Sequence, residues 1–521
     1  MDVPSFPLPP PIAISLAVVI LTVLVIRFRA RRLGAEKKKR YHPVVTNFLN
    51  TLINFPRLHH YMTEFEHKHK SYRAYNVLID YIITTDPANV EYILKTNFAN
   101  YGKGWYHSGV LSDVLGDGIF AVDGEKWLHQ RKVAGNELTT KVLKDFSSTV
   151  FKTNAVKLAR IISEAATCNK VVEIQELFMK ATLDAIVKIL LGIELDTMYG
   201  TNEEGIRFAH AFDVANAMTI YRYVDFSWKI RRFLNIGSEA LLRKSVQLID
   251  QFIYNLIKRK IETDTSSEDE LLALKKGDII SRLLKSPDAD PKYLRDLILC
   301  LIAAGRDTTA STLTWFIYML CKHPHIQEKV AREVREATNL KDSSRIDEVV
   351  ATLTEEALEK MQYLHAALSE TLRLYPSVPL NAKVCLADDT WPDGFSVKKG
   401  DFVGFHVYGM GRMKYLWGDD AEEFRPERWL DKNGIFQQES PFKFTAFNAG
   451  PRICIGRDFA YRQTKIMCAT LVGCFKFKLS DEKWVAHYLT KISLHIDGGL
   501  YELFMKAILA TQPSRFYLEL N

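Results

Sequence analysis

Four groups of residues have types and spacings that suit chemistry. The first is the loop Phe447-Asn-Ala-Gly450-Pro-Arg452-Ile-Cys454-Ile-Gly456, followed by a helical pattern from Arg457 to Leu471. A cysteine at a helix N-terminus has its thiolate favoured by the helix dipole and by free backbone N–H groups. Arg452 adds a positive charge beside it. The plainer reading of a lone cysteine is a small buried hydrophobe. The second group is Ala304-Gly305-Arg306-Asp307-Thr308-Thr309, inside a longer helical pattern. Glycine and two threonines are poor mid-helix residues whose polar groups compete with the backbone, so a local distortion is expected there. The third is Glu370-Thr-Leu-Arg373, an i, i+3 pair on one helix face, closed by Pro376. Taken alone, it reads equally as a surface ion pair of little energetic value. The fourth is Trp127-Leu-His-Gln-Arg131, an i, i+4 pair.

Together these groups resemble one family. F-x-x-G-x-R-x-C-x-G is similar to the haem-binding loop of cytochrome P450 monooxygenases, the thiolate-ligated haem proteins. The resemblance implies that Cys454 is the axial ligand of haem iron. It implies that Phe447, Gly450 and Gly456 shape the loop against the porphyrin, and that Arg452 faces a propionate. AGRDTT resembles the family's acid–alcohol pair on the helix crossing the haem. Thr308 would hold a proton-donating network at bound dioxygen, and Asp307 would resupply protons. Glu370, Arg373 and Arg428 (in Phe424-Arg-Pro-Glu-Arg428-Trp) match the family's buried structural triad. Trp127 and Arg131 match its propionate-binding W-x-x-x-R, and Lys383 is a further propionate candidate where relatives often carry arginine.

The implied cofactor is haem b, with O2 as co-substrate. No nucleotide loop of the G-x-G-x-x-G or G-x-x-x-x-G-K-[ST] type occurs. The resemblance therefore implies that NADPH acts only through a partner, the membrane-bound NADPH–cytochrome P450 reductase. FNAGPR, DFAYRQ, AGRDTT and DGIFAVDGEKW look most like the plant clan of long-chain fatty-acid ω-hydroxylases, although Asn381, Ile455 and Thr464 depart from its usual residues. The expected reaction is insertion of one oxygen atom into an aliphatic C–H bond, with ω-hydroxylation of a long-chain fatty acid foremost. Alternatives are hydroxylation of another lipid or apolar metabolite, isomerisation or dehydration of a lipid hydroperoxide, and a membrane-anchored binder without catalysis. Intact Asp307 and Thr308 argue against the last two. Pocket walls are expected from residues 101–120, 211–226, 378–382 and 498–504. Arg222, Lys229, Arg231 and Arg232 are candidates for holding the substrate's polar end. His59, His60, Glu64, His67 and His69 are read as a solvated polar face.

The elements that position these residues are mostly helical. Amphipathic patterns run over 139–166, 172–191, 238–262, 291–322, 324–337 and 364–374, with strand-like runs at 72–84, 398–405 and 489–496. Loop-like stretches occur at 263–270 and 286–291. At roughly 150 residues per domain, 521 residues predict about three domains. No linker or repeat separates them, so the expectation is mainly α with minor β, as one large haem domain over residues 34–521.

Net charge locates the rest. The formal +7 is carried entirely by Arg27–Arg40, which holds eight basic residues and one acid, while the other 61 basic and 61 acidic residues cancel. A neutral body argues against a nucleic-acid partner. Just before lies Ile12–Ile26, fifteen residues without a charge. As a helix it spans about 22 Å, short of a ~30 Å hydrocarbon core but suited to an N-terminal anchor. Residues 1–33 are thus read as a single membrane anchor with its basic flank. By the positive-inside rule the catalytic domain stays cytoplasmic, on the endoplasmic reticulum membrane. Seven scattered cysteines without C-x-x-C suit a reducing compartment and exclude the common zinc-ribbon and iron–sulfur spacings.

Overall fold

The structure is a computed structural model. It describes residues 44–75, 80–168, 171–225, 227–265, 278–284, 290–340, 345–500 and 503–507. The anchor and Arg27–Arg40 lie outside the described residues, as does most of 263–270 and 286–291. Among the described residues no helix is long and apolar enough to cross a membrane.

Among the described residues twelve strands, β1 to β12, are Val44–Asn47, Ser71–Tyr75, Tyr81–Thr84, Tyr101–Gly102, Asn381–Cys385, Asp389–Thr390, Ser396–Val397, Phe402–Phe405, Phe475–Leu479, Tyr488–Leu489, His495–Ile496 and Leu503–Ala507. The main sheet has the order β1-β2-β3-β8-β5-β4, and three two-stranded sheets complete the β content. The longer helices are α1 (Leu58–Glu66), α2 (Gly104–Leu115), α3 (Gly124–Thr139), α4 (Lys141–Thr167), α5 (Ile174–Leu191), α6 (Glu203–Tyr221), α7 (Trp228–Leu234), α8 (Ser238–Thr265), α9 (Pro291–Gly305), α10 (Asp307–Lys322), α11 (Pro324–Thr338), α12 (Gln362–Leu374) and α13 (Arg457–Cys474). The architecture is mainly α with minor β.

Local chemistry sets many boundaries. The Thr140 hydroxyl, the Glu173 carboxylate and the Asn202 amide oxygen accept backbone N–H groups at the starts of α4, α5 and α6. Asp290 caps α9, with Pro291 in its first turn. Helices α5 and α10 are buried on nearly all sides and form the centre of the core, with α13 packed beside them.

One sequence expectation is corrected here. His59 is not on a solvated face: it is 2 % exposed, and its Nδ1 lies 3.2 Å from His406 Nε2. His406 Nδ1 in turn sits 2.8 Å from Oε2 of buried Glu66. His60 bonds the Tyr408 hydroxyl at 3.0 Å, whereas Glu64 and His67 do face outward. The reason is tertiary. Strand β8 delivers His406 from the far end of the chain to the inner face of α1.

Candidate active site

The cysteine loop is closed by its own backbone. Cys454 N–H donates to the Phe447 carbonyl at 2.8 Å, and Phe447 packs on Tyr461 of α13 with ring centroids 5.1 Å apart. Gly450 has φ +63°, and a Cβ there would lie 2.0 Å from the Leu94 carbonyl oxygen, so only glycine fits. Gly456 adjoins the sulfur, its Cβ position 4.0 Å from Cys454 Sγ. Of the seven free cysteines, Cys454 and Cys168 are exposed and the other five are buried. Burial of its surroundings raises the Cys454 pKa, while the Gly456 N–H and the charge of Arg131 act in the opposite direction.

Around the loop stands a group of cations with too few anions. Arg131 Nη1 donates to the Ile453 carbonyl at 2.8 Å. Arg452 Nη2 donates to Asp123 Oδ1 at 2.5 Å and to the Val122 carbonyl at 3.0 Å, with its guanidinium 4.4 Å from the Trp127 ring centroid. Lys383 is 1 % exposed, and its Nζ has no hydrogen-bond partner among the described residues. Burial first, then the charges of Lys103 and Arg452, push the Lys383 pKa well down against the pull of Asp123. Lys103 is pushed to about 8 by burial and by Arg452. An unpaired buried ammonium is costly unless an anion reaches it. This donor set suits a ligand bearing two carboxylates beside an accessible cysteine, which is what haem b presents.

Above the core, the long pattern 291–322 is split. The regular helix is interrupted at Arg306 (φ −80°, ψ −69°) between α9 and α10, although the Arg306 N–H still donates to the Ile302 carbonyl at 2.9 Å. Four hydrogen bonds hold the break. Thr308 Oγ1 donates to the Ala304 carbonyl at 2.5 Å. Thr182 Oγ1 of α5 donates to the Arg306 carbonyl at 3.1 Å. The Thr308 carbonyl accepts from both Thr312 Oγ1 and Ser377 Oγ, at 2.8 Å each. Asp307 is buried, while Ala303, Ala304, Gly305 and Thr308 keep accessible surface within an otherwise buried helix.

Behind the loop, Glu370, Arg373 and Arg428 meet. Arg373 Nε and Nη2 donate to the Glu370 carboxylate at 2.7 and 2.8 Å, and Arg428 Nε donates to Glu370 Oε1 at 2.8 Å. Trp429 Nε1 completes the set at 2.9 Å, and its ring packs on Phe444 just ahead of the loop.

The four expected pocket walls are partly joined. Residues 101–120 reach 211–226 through Arg222 Nη1 to the Val110 carbonyl at 3.0 Å, while the β4–β5 pairing sets Tyr101 and Gly102 against Cys385 and Val384, just beyond the expected wall 378–382. The fourth wall lies partly outside the described residues. The polar-end candidates are corrected. Arg222 is 2 % exposed and consumed by Glu239 and Asp113 at 2.6 Å each. Arg231 pairs with Asp225 and Arg232 with Asp113. Lys229, stacked over Trp105 and Trp228, has no carboxylate partner among the described residues.

Lys103, Asp123, Asp213 and Asn216 were not singled out from the sequence. Asp123 lies one turn before Trp127 and was within reach of a local reading. The others carry no local signal.

Comparison with known proteins adds the family. A family profile described as Cytochrome P450 matches residues 37–502. The chain is similar to Cytochrome P450 704C1 of Pinus taeda, 50 % identical over 89 % of this chain and 91 % of that one. It is 42 % identical to Cytochrome P450 704B1 of Arabidopsis thaliana over 89 % and 94 % of the two chains. Cytochrome P450 94A1 of Vicia sativa is 36 % identical over 80 % of each.

Proposed function

The chain belongs to the cytochrome P450 family and is a haem b-dependent monooxygenase served by a redox reductase, and on that premise we propose that it hydroxylates long-chain fatty acids at the ω-carbon. Haem b, when bound, supplies dioxygen reduction and transfer of one oxygen atom to a C–H bond. Cys454 Sγ holds the iron as thiolate. Lys383, Lys103, Arg452, Arg131 and Trp127 hold the propionates. The single observation behind this cradle is the buried, unpartnered Lys383 ammonium among other cations.

Asp307 and Thr308 move protons at the α9–α10 break. Thr308 Oγ1 has committed its hydrogen to Ala304, so its oxygen is free to accept one. Asp307 is lifted by burial to about 6, where a carboxyl gives and takes a proton near neutral pH. This intact pair favours oxygen activation over hydroperoxide rearrangement. The fatty-acid reading is supported by the four stretches that resemble the plant ω-hydroxylase clan. With Arg222, Arg231 and Arg232 engaged, Lys229 is the candidate for the substrate carboxylate. Residues 1–33 anchor the chain in the endoplasmic reticulum membrane, residues 34–521 form the haem domain on its cytoplasmic side, and Arg27–Arg40 set that orientation.

The test is a screen in microsomes carrying NADPH–cytochrome P450 reductase. Fatty acids from medium to very long chain are offered, and the oxidised carbon is read by mass spectrometry. NADPH-dependent ω-hydroxy product is expected. Failure on every chain length with a spectrally intact haem would overturn the substrate, and hydroperoxide turnover without NADPH would overturn the reaction.

A further inference from the structure

The break between α9 and α10 carries a charge arrangement that an acid–alcohol pair does not require. Arg306 is 2 % exposed. Its Nη1 donates to Asp213 Oδ1 at 2.5 Å and its Nη2 to Asp213 Oδ2 at 3.1 Å. The same Nη1 reaches Asp307 Oδ1 at 3.0 Å. Asn216, on the same face of α6 as Asp213, donates to Asp307 Oδ2 at 3.2 Å. Two carboxylates therefore share one guanidinium, and they share it unequally. Asp213 has a two-point contact and Asp307 a single one.

One cation neutralises one carboxylate. The better-held Asp213 stays ionised, and Asp307 is left to take the proton. Asp213 is also open to water over 46 % of its side chain, whereas Asp307 is buried. The physical influences agree. Burial pushes both groups up. The Arg306 charge more than offsets this at Asp213 and holds it below the ordinary carboxylate range. At Asp307 burial prevails over Arg306, and the negative charge of Asp213 raises it further. The titratable groups facing this pair from other elements are Lys491, whose charge favours both carboxylates, and His495, which burial holds low at about 3 and so leaves neutral.

We propose that Asp213 and Arg306 are positioning residues that keep Asp307 available as a proton carrier, by having Asp213 occupy the guanidinium that Asp307 would otherwise claim. The proposal rests on the monooxygenase reading, in which Asp307 resupplies protons. In the step, an O–H bond at Asp307 breaks as the proton passes toward Thr308. That proton forms a new O–H bond at the acceptor beyond Thr308, and the carboxylate regains its proton from a solvent hydronium, which leaves as water; no electron moves.

The test uses full-length, haem-loaded protein. The infrared C=O band of a protonated carboxyl is titrated against pH and assigned to Asp307 by its loss in Asp307→Asn. In Asp213→Asn, Arg306 is left with Asp307 as its sole carboxylate, so the midpoint is expected to fall by about one pH unit or more, a tenfold smaller protonated population at neutral pH. The share of NADPH electrons recovered in product rather than peroxide should fall about threefold or more, and Asp213→Glu should restore both. Asn216→Leu, which removes only a donor to the Asp307 carboxylate, should move the midpoint the other way. An unmoved midpoint in Asp213→Asn, or the same direction of shift in both variants, overturns the proposal. If wild type oxidises no substrate, the monooxygenase reading fails instead, and the infrared titration still decides this one.

Discussion

Glu370 and Arg373, one turn apart on α12, form a two-point ion pair at 2.7 and 2.8 Å with no solvent access to either side chain. Arg428 adds a second guanidinium to the same carboxylate at 2.8 Å. Glu370→Gln removes the charge both cations share and leaves them buried. A loss of about 3–5 kcal/mol is expected in reversible unfolding of the holoprotein. A loss below about 1 kcal/mol, the range of an exposed pair, would contradict this account.

Lys383 offers a sharper contrast, because its ammonium has no hydrogen-bond partner among the described residues. In haem-free protein it is a burial cost without compensation, and Lys383→Met should raise stability by about 1–3 kcal/mol. On the proposed role of Lys383, the same change in holoprotein would remove a propionate partner, and haem transfer to an acceptor protein should quicken about tenfold, the equivalent of one charged hydrogen bond. Effects of equal sign in the two forms would dismiss Lys383 as a propionate ligand.

Cys454 and Cys168 are the two exposed cysteines, so they form a natural control pair. Cys454→Ser should abolish the red-shifted ferrous–CO band that reports thiolate ligation, and Cys168→Ser should leave it in place. Retention of the band in Cys454→Ser would require another ligand.

His365 of α12 lies between Phe436 and Tyr461, with ring centroids 4.2 Å from each. Burial, and then the charges of Lys465 and Arg457, lower its pKa from 6.5 to about 3. The unfolded chain therefore binds a proton below pH 6.5 that the folded chain refuses, and stability is lost as pH falls through that window. Each unit of pH costs about 1.4 kcal/mol from this ring. His365→Phe should flatten the acid limb of stability against pH by about that slope, measured by urea unfolding between pH 4.5 and pH 6.5. An unchanged slope would mean that the ring is protonated in the folded protein.

Helices whose ends carry their own caps were legible from the chain alone. The pattern 172–191 became α5, whose first turn is satisfied by Glu173. The distortion expected at Gly305–Thr309 is present, because poor helix formers and competing hydroxyls act within one turn. His59 of α1 departs from the expected solvated face because helical spacing describes a face and cannot say what meets it. His59 is buried only because a strand more than three hundred residues away carries His406 to it.

Local spacing in the chain decided the cysteine loop, the helix break and the i, i+3 pair, since each depends on atoms within a few residues. Its charge pattern placed all the excess basicity in one short N-terminal stretch. Tertiary structure alone decided which charges cancel. It gave Arg222 to Glu239 and Asp113, left Lys383 without a hydrogen-bond partner among the described residues, and put Asp213 against Arg306. Ion pairing falls steeply with distance and strengthens with burial, and both are properties of how distant segments pack.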